Sequence, residues 1–203
     1  MNLRACAGLP RTPENAVWFR LIDPRYLPAA LGSAHTKKTP GRFNPGPLLA
    51  VRDQFASLSF ADDVITAQFE VGAALGYYKP GYYVSHPRLS FITLNVSVVL
   101  REVFDLSDIN VQTVLGTNAQ ELTGDWEAYQ IRSPRTSVSQ PTGIAPTQQL
   151  GRALFATGAE GFRSISAKMP WHKTLTLFTD RLKTGSSLTF TNRSNGTVVH
   201  RIP

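Results

Sequence analysis

The chain has 203 residues, 42% hydrophobic and 10% aromatic, enough for one sizeable domain to bury its own core. Its 21 lysines and arginines against 14 acids give a charge of +7 that favours anionic partners, but the excess is scattered, without the basic runs or zinc spacing of a nucleic-acid reader. No run approaches the roughly 18 apolar residues that cross a bilayer, the N-terminus lacks a basic segment followed by a long apolar one, and the single cysteine, Cys6, excludes an internal disulfide, so a cytoplasmic chain that meets no membrane is expected.

Residues 1–13 read as a poorly ordered, flexible leader ahead of a single domain over 14–203. Ala16 to Ile22 has the aromatic and branched content of a buried strand, interrupted by Arg20. A charge there needs an anion, either a structural ion pair or a ligand. Asp23 to Pro40 holds three prolines and reads as a loop with one helical turn at Leu27 to Leu31. It leads into Gly41-Arg42-Phe43-Asn44-Pro45-Gly46, where the glycines permit a close backbone approach and Pro45 and Pro47 stiffen the turn presenting Arg42 and Asn44. The planar fork of Arg42 suits a pyrophosphate or a carboxylate.

An apolar run from Gln54 to Phe60 precedes a predicted helix over 61–75. Its first turn carries Asp62 and Asp63, as the helix dipole prefers. Glu70 falls on a face of small residues, as a solvated side chain or as a functional carboxylate at a cleft. Tyr77, Tyr78, Tyr82 and Tyr83 surround a Pro-Gly turn; stacking on a ring, contact with a partner and packing within a hairpin all fit.

Leu89 to Leu100 alternates as a strand does, and Ser107 or Asp108 is placed to cap a short helix reaching about Leu115. Leu122 to Pro146 is polar and rich in serine, threonine and proline around Trp126, hence loop-like. Pro146 to Gly158 reads as a helix closing at a glycine, and Gly161–Ala167 and Thr174–Phe178 as adjacent strands. Residues 187–202 resemble a hairpin turning at Asn195-Gly196. The order of elements is that of a mixed α+β domain without regular βαβ alternation. No Walker loop, dinucleotide-fold glycine fingerprint or His-Glu-x-x-His is present, and His35, His86, His172 and His200 show no metal spacing.

These landmarks together resemble the RES-domain family, the toxins of RES–Xre toxin–antitoxin pairs. The matching pieces are Trp18-Phe19-Arg20, Gly41-Arg42-Phe43-Asn44-Pro45, Ala67-Gln68-Phe69-Glu70, Val103-Phe104-Asp105-Leu106, Thr147-Gln148-Gln149-Leu150-Gly151 and Ser166-Ala167, in the family's order between residues 16 and 180. The resemblance implies a fold related to ADP-ribosyltransferase toxins and an activity that consumes NAD+ as substrate, without a metal. It also implies a cognate antitoxin, of the helix-turn-helix Xre type, covering the active site, with nucleic acid met only through that antitoxin. Glu70, Arg42 and Ser166 become the catalytic set, and Arg20, Arg42, Asn44, Ser166, Tyr77 and Tyr78 the residues that hold NAD+. Leu21 and Ser59 stand where relatives often carry tyrosines, and Thr174 where an asparagine is frequent.

The residues suit that chemistry. Cleaving the nicotinamide–ribose bond builds positive charge on the ribose, which one oriented carboxylate can stabilise. Nicotinamide leaves a cationic ring as a neutral molecule, so a second carboxylate acting as general acid is unnecessary. The readings are an NAD-degrading toxin using water or phosphate as acceptor, a mono-ADP-ribosyltransferase acting on a host protein, and a basic module binding RNA.

Overall fold

The computed structural model of the chain describes residues 1–73, 77–79, 82–84, 90–131, 143–191 and 198–202, with the backbone alone for 77–79, 82–84, 128, 130–131 and 198–202. The first long strand, β1 (Thr12–Ile22), extends the predicted strand by four residues at its start. It runs antiparallel to β5 (Ile92–Asp105), from Thr12 opposite Val103 to Ile22 opposite Ile92. The alternation Leu94, Val96, Val98 and Leu100 on β5 buries one face completely, which is why this strand becomes the spine of the sheet.

Around that spine lie β2 (Ser57–Ala61), β6 (Gly161–Ile165), β7 (Lys173–Phe178), β8 (Ser187–Thr191) and β9 (Val198–Ile202), in the order β1-β2-β7-β6-β5-β8-β9. Because β1 pairs with both β2 and β5, the strands β1, β2, β7, β6 and β5 close into a ring. Only β5 and β6 run parallel; the other pairings are antiparallel. The predicted adjacency of β6 and β7 and the predicted C-terminal pairing of β8 with β9 are both present, while the Asn-Gly turn lies outside the described residues. A separate two-stranded antiparallel pair, β3 (Tyr77–Lys79) and β4 (Tyr82–Val84), carries the four tyrosines, while their Pro-Gly turn lies outside the described residues.

The helices follow their caps. α1 (Val64–Glu70) starts at Asp63, whose carboxylate accepts from the amides of Ile65 and Thr66. It is shorter than the predicted 61–75 because Gly72 turns to a φ of 71° just past its end. α2 (Ile109–Leu115) is capped by Asp108 and closed by Gly116 in the left-handed region. α3 (Ala119–Thr123) runs into, and α4 (Trp126–Ile131) lies within, the stretch from Leu122 expected to be a loop. The correction has a local cause: Asn118 caps α3 through Glu121, and Asp125 accepts from the amide of Glu127, short-range bonds that a polar composition conceals. α5 (Pro146–Ala156) matches its prediction and ends ahead of Gly158, φ 78°.

Two apolar cores result. One fills the ring with Leu58, Phe60, Leu94, Val96, Val98, Leu175 and Leu177. The other lies between sheet and helices around Phe55, Phe104, Phe162, Phe178, Leu115, Leu122 and Leu150. The N-terminal residues, expected to fray, belong to this second core. Leu3–Gly8 forms a 3₁₀ turn that buries Cys6, Leu9 packs beside it, and the amide of Asn2 donates to the carbonyl of Leu115. Short apolar residues spaced within one turn hold the leader down, a pattern too brief to stand out as a helix. Among the described residues no helix is long and apolar enough to cross a membrane.

Candidate functional site

A cavity of about 680 Å³ opens at one end of the ring and gathers residues from elements far apart in the chain. A cavity of that size falls within the range that takes a small organic ligand. Its floor is sheet: Arg20 from β1, Ser59 from β2, Thr174 and Thr176 from β7. Its walls are Glu70 and Val71 at the end of α1, Arg42 from the Gly41 turn, Ala167 and Lys168 after β6, and Thr123 at the end of α3 with Asp125, Trp126 and Glu127 at the start of α4.

Glu70 and Ser166, 96 residues apart, are joined directly: the serine hydroxyl donates to Glu70 Oε1 at 2.5 Å. Ser166 is only 4% exposed, and its oxygen in turn accepts from the amides of Lys168 and Met169, at 3.2 and 3.0 Å. The hydroxyl is thereby oriented toward the carboxylate, with the turn after β6 as its frame. Glu70 itself is half-buried and lines the cavity wall.

Arg20 is half-buried over Phe60, donating through Nη1 to the carbonyl of Ser59 at 2.8 Å, with its Nε buried and unpartnered. Burial pulls its guanidinium down to about 10, so it stays charged at neutral pH. It makes no ion pair within the described residues. A buried charge held by a carbonyl and lacking an anion is the arrangement expected of a ligand contact. Arg42 differs. Its Nη1 donates to the carbonyls of Leu122 and Gly124, and its pKa is lowered by burial and raised in part by Glu70, Asp125 and Glu127. The positive charge of Arg42 is therefore set among three carboxylates, and it ties the α3–α4 segment to the cavity.

Of the other predicted ligand residues, Asn44 has a structural task. At 4% exposed it does not line the cavity; its Nδ2 donates to the carbonyl of Phe55 and to Ser57 Oγ, at 3.1 and 3.0 Å, and its Oδ1 accepts from the amide of Gly46 at 2.9 Å. The turn is thus stitched to β2, and Arg42 and Phe43 line the cavity from it. The side chains of Tyr77 and Tyr78 lie outside the described residues. Leu21, buried with Ala61 and Ala67, lines the cavity in company with Ser59 and Thr174, so all three departures from the family pattern fall at this site.

Sequence reading missed the segment Asp125-Trp126-Glu127, which brings a half-buried indole and two carboxylates to the wall. It also missed Thr176, whose spacing of two from Thr174 puts both hydroxyls on one face of β7. That alternation was available in the sequence; nothing marked the Trp126 segment apart from a polar loop. With Arg20, Arg42 and Lys168 facing Glu70, Asp125 and Glu127, the cavity balances three cations against three carboxylates.

A family profile described as RES domain matches residues 17–191. Among solved structures, the crystal structure of the M. tuberculosis MbcT-MbcA toxin-antitoxin complex is similar, with a TM-score of 0.66 at 17% identity, over 94% of this chain and 88% of that one. A search of curated proteins returned no match. The likeness to the solved structure is one of fold, a mixed α/β domain.

Proposed function

The chain belongs to the RES-domain family, and from that membership and the cavity we propose that it is the toxin of a toxin–antitoxin pair that consumes NAD+ by cleaving the nicotinamide–ribose bond. The observation that carries the reaction is the hydrogen bond from Ser166 to Glu70 on the wall of a cavity that also holds Arg20. Arg20 supplies an uncompensated cation for a pyrophosphate, and Ser59, Thr174 and Thr176 supply hydroxyls for ribose or phosphate oxygens. Arg42 holds the opposite wall and places positive charge beside Glu70.

In the proposed step the C–N bond breaks with its electron pair leaving on nicotinamide, which departs neutral. The positive charge grows on the ribose, where the Glu70 carboxylate stabilises it, its free rotation removed by Ser166. Water or phosphate then adds to the ribose carbon from solution, releasing a proton when water is the nucleophile. The reaction requires no second acid. Transfer to a protein acceptor uses the same cleavage, so the acceptor is identified by product rather than by the bond broken.

A toxin of this kind requires a neutraliser. The similar solved structure is described as a toxin–antitoxin complex, which supports a cognate antitoxin; from the family resemblance we take that partner to be of the Xre type and to cover this cavity in the cytoplasm. Nucleic acid is met through that partner only. The deciding experiment incubates purified protein with NAD+, with and without phosphate, and separates the products. Free nicotinamide with ADP-ribose or its 1-phosphate is expected; an intact NAD+ pool from folded protein overturns the reading, and labelled protein in place of free ADP-ribose identifies a transferase.

A further inference from the structure

A second cluster, outside the cavity, grips the same helix from its other end. His172 Nδ1 lies 3.1 Å from Asp62 Oδ1 and 2.8 Å from Asp63 Oδ2. Asp63 is the N-cap of α1, and Asp62 is fixed by a two-way exchange with Lys173, whose amide donates to Asp62 Oδ2 at 2.7 Å while its carbonyl accepts from the Asp62 amide at 3.1 Å. All four carboxylate oxygens therefore already accept hydrogen bonds, from His172, Lys173, Ile65 and Thr66. The three side chains form a filled clasp.

The clasp closes a strap. Ser166 and His172 stand at the two ends of one loop, joined by the Ser166 amide donating to the His172 carbonyl at 2.8 Å. One end of the strap reaches Glu70 at the C-terminal end of α1 through the Ser166 hydroxyl, and the other reaches Asp63 at its N-cap. An α-helix of 7 residues is about 10 Å long, so two contacts from one loop fix both its position and its rotation. Within the strap Trp171 takes a φ of 72° and is 96% exposed. A non-glycine residue in that region persists only where its surroundings hold it, and an exposed side chain contributes little of that hold. The strap is thus set by its ends.

We infer that His172 is a positioning residue: through Asp62 and Asp63 it fixes the 166–172 strap against α1, and so sets the Ser166 hydroxyl on Glu70. This rests on the proposed reaction for its consequence in turnover, but not for the clasp itself. Asparagine places its Nδ2 where His172 has Nδ1, whereas glutamine places its nitrogen where His172 has Nε2, away from the carboxylates. The two variants have similar polarity and differ in that one hydrogen bond.

The test compares wild type, His172→Asn and His172→Gln by hydrogen exchange of the full chain and by NAD+ turnover. His172→Gln is expected to speed exchange of amides in 166–172 by roughly tenfold while those of β6 and β7 are unchanged, and to lower kcat by about 10- to 100-fold with KM within about twofold, the order of effect of a displaced reacting group. His172→Asn stays near wild type in both. Added to Ser166→Ala, His172→Gln should lower kcat no further. Native exchange in His172→Gln, equal loss in both variants, or losses that multiply with Ser166→Ala each overturn the inference. If wild type leaves NAD+ intact, the proposed reaction fails, and the exchange comparison alone decides the clasp.

Discussion

At the scale of single residues, charge and its desolvation separate two arginines that look alike in the sequence. Arg42 sits among carboxylates and donates to two carbonyls, whereas Arg20 has one carbonyl and no anion. Arg20→Met is therefore expected to raise KM for NAD+ by about tenfold or more with a smaller change in kcat, the pattern of a contact made equally in ground and transition states; equal KM would remove Arg20 from the substrate. The shift of Arg20 also has a sign. Its folded value, about 10, lies below that of the free side chain, so the folded chain holds this proton less tightly than the unfolded one. The cost is fully present below pH 10 and is relieved as pH rises above it. Catalysis runs the other way: kcat/KM should show no loss from Arg20 up to about pH 9 and fall through pH 10 as the cation is lost, a decline absent in Arg20→Met. Glu70→Gln removes the stabilising charge while keeping shape, and a fall in kcat of about 100-fold or more is expected with the fold intact. Ser166→Ala should cost less than Glu70→Gln, since the carboxylate remains. Turnover unchanged in Glu70→Gln would exclude it from the chemistry.

At the scale of elements, the cavity depends on how closely α5 meets the Gly41 turn. Gln148 Nε2 donates to the Gly41 carbonyl at 2.9 Å, and a Cβ placed on Gly151 would come within 1.9 Å of the Phe43 carbonyl oxygen. Gly151→Ala must push the turn away, and backbone gives little. A loss of about 2 kcal/mol or more in unfolding by denaturant is expected, of the size of other overpacked cores, with NAD+ turnover reduced because Arg42 moves with the turn. An unchanged midpoint and turnover would show the contact to be looser. This contact also shows what the sequence could reveal. The elements with strong local signals were legible: β5 by alternation, α2 by Asp108, α5 by its proline start and glycine end, β8 and β9 by the Asn195-Gly196 turn signal between them. The Glu70, Ser166 and Arg20 positions could be picked from an ordered set of short motifs. Asn44 belongs to one of those motifs, yet its side chain turns away from the cavity onto Phe55 and Ser57, because only the fold shows which way a turn residue points. The end of α1 depended on Gly72, and the α3–α4 wall on short-range caps in a polar stretch, where composition carries no period. The packed N-terminus followed from contacts with α2 and α5, which no local pattern encodes.

At the scale of the whole molecule, closing β1, β2, β7, β6 and β5 into a ring brings Arg20, Ser59, Thr174 and Thr176 onto one floor, while Glu70, Ser166 and Arg42 arrive from connections at the same end. Residues from 20 to 176 must be in place before the site exists, so a ligand of the cavity binds the folded chain and not the unfolded one. The net charge of +7 does not reside in the cavity, where cations and carboxylates balance. Affinity there rests on placed hydrogen bonds more than on a long-range field, and moderate salt should change it little. Ligand binding to the folded state alone stabilises by about 2.7 kcal/mol at one hundred times Kd. For a chain of this length each kcal/mol raises Tm by roughly 2–4 °C, so saturating ADP-ribose is expected to raise the midpoint by about 5–10 °C. The same addition to Arg20→Met should give a much smaller rise, because the pyrophosphate loses its cation. A wild-type midpoint that ignores ADP-ribose would remove that ligand from the cavity, and equal shifts in both proteins would place its phosphates away from Arg20.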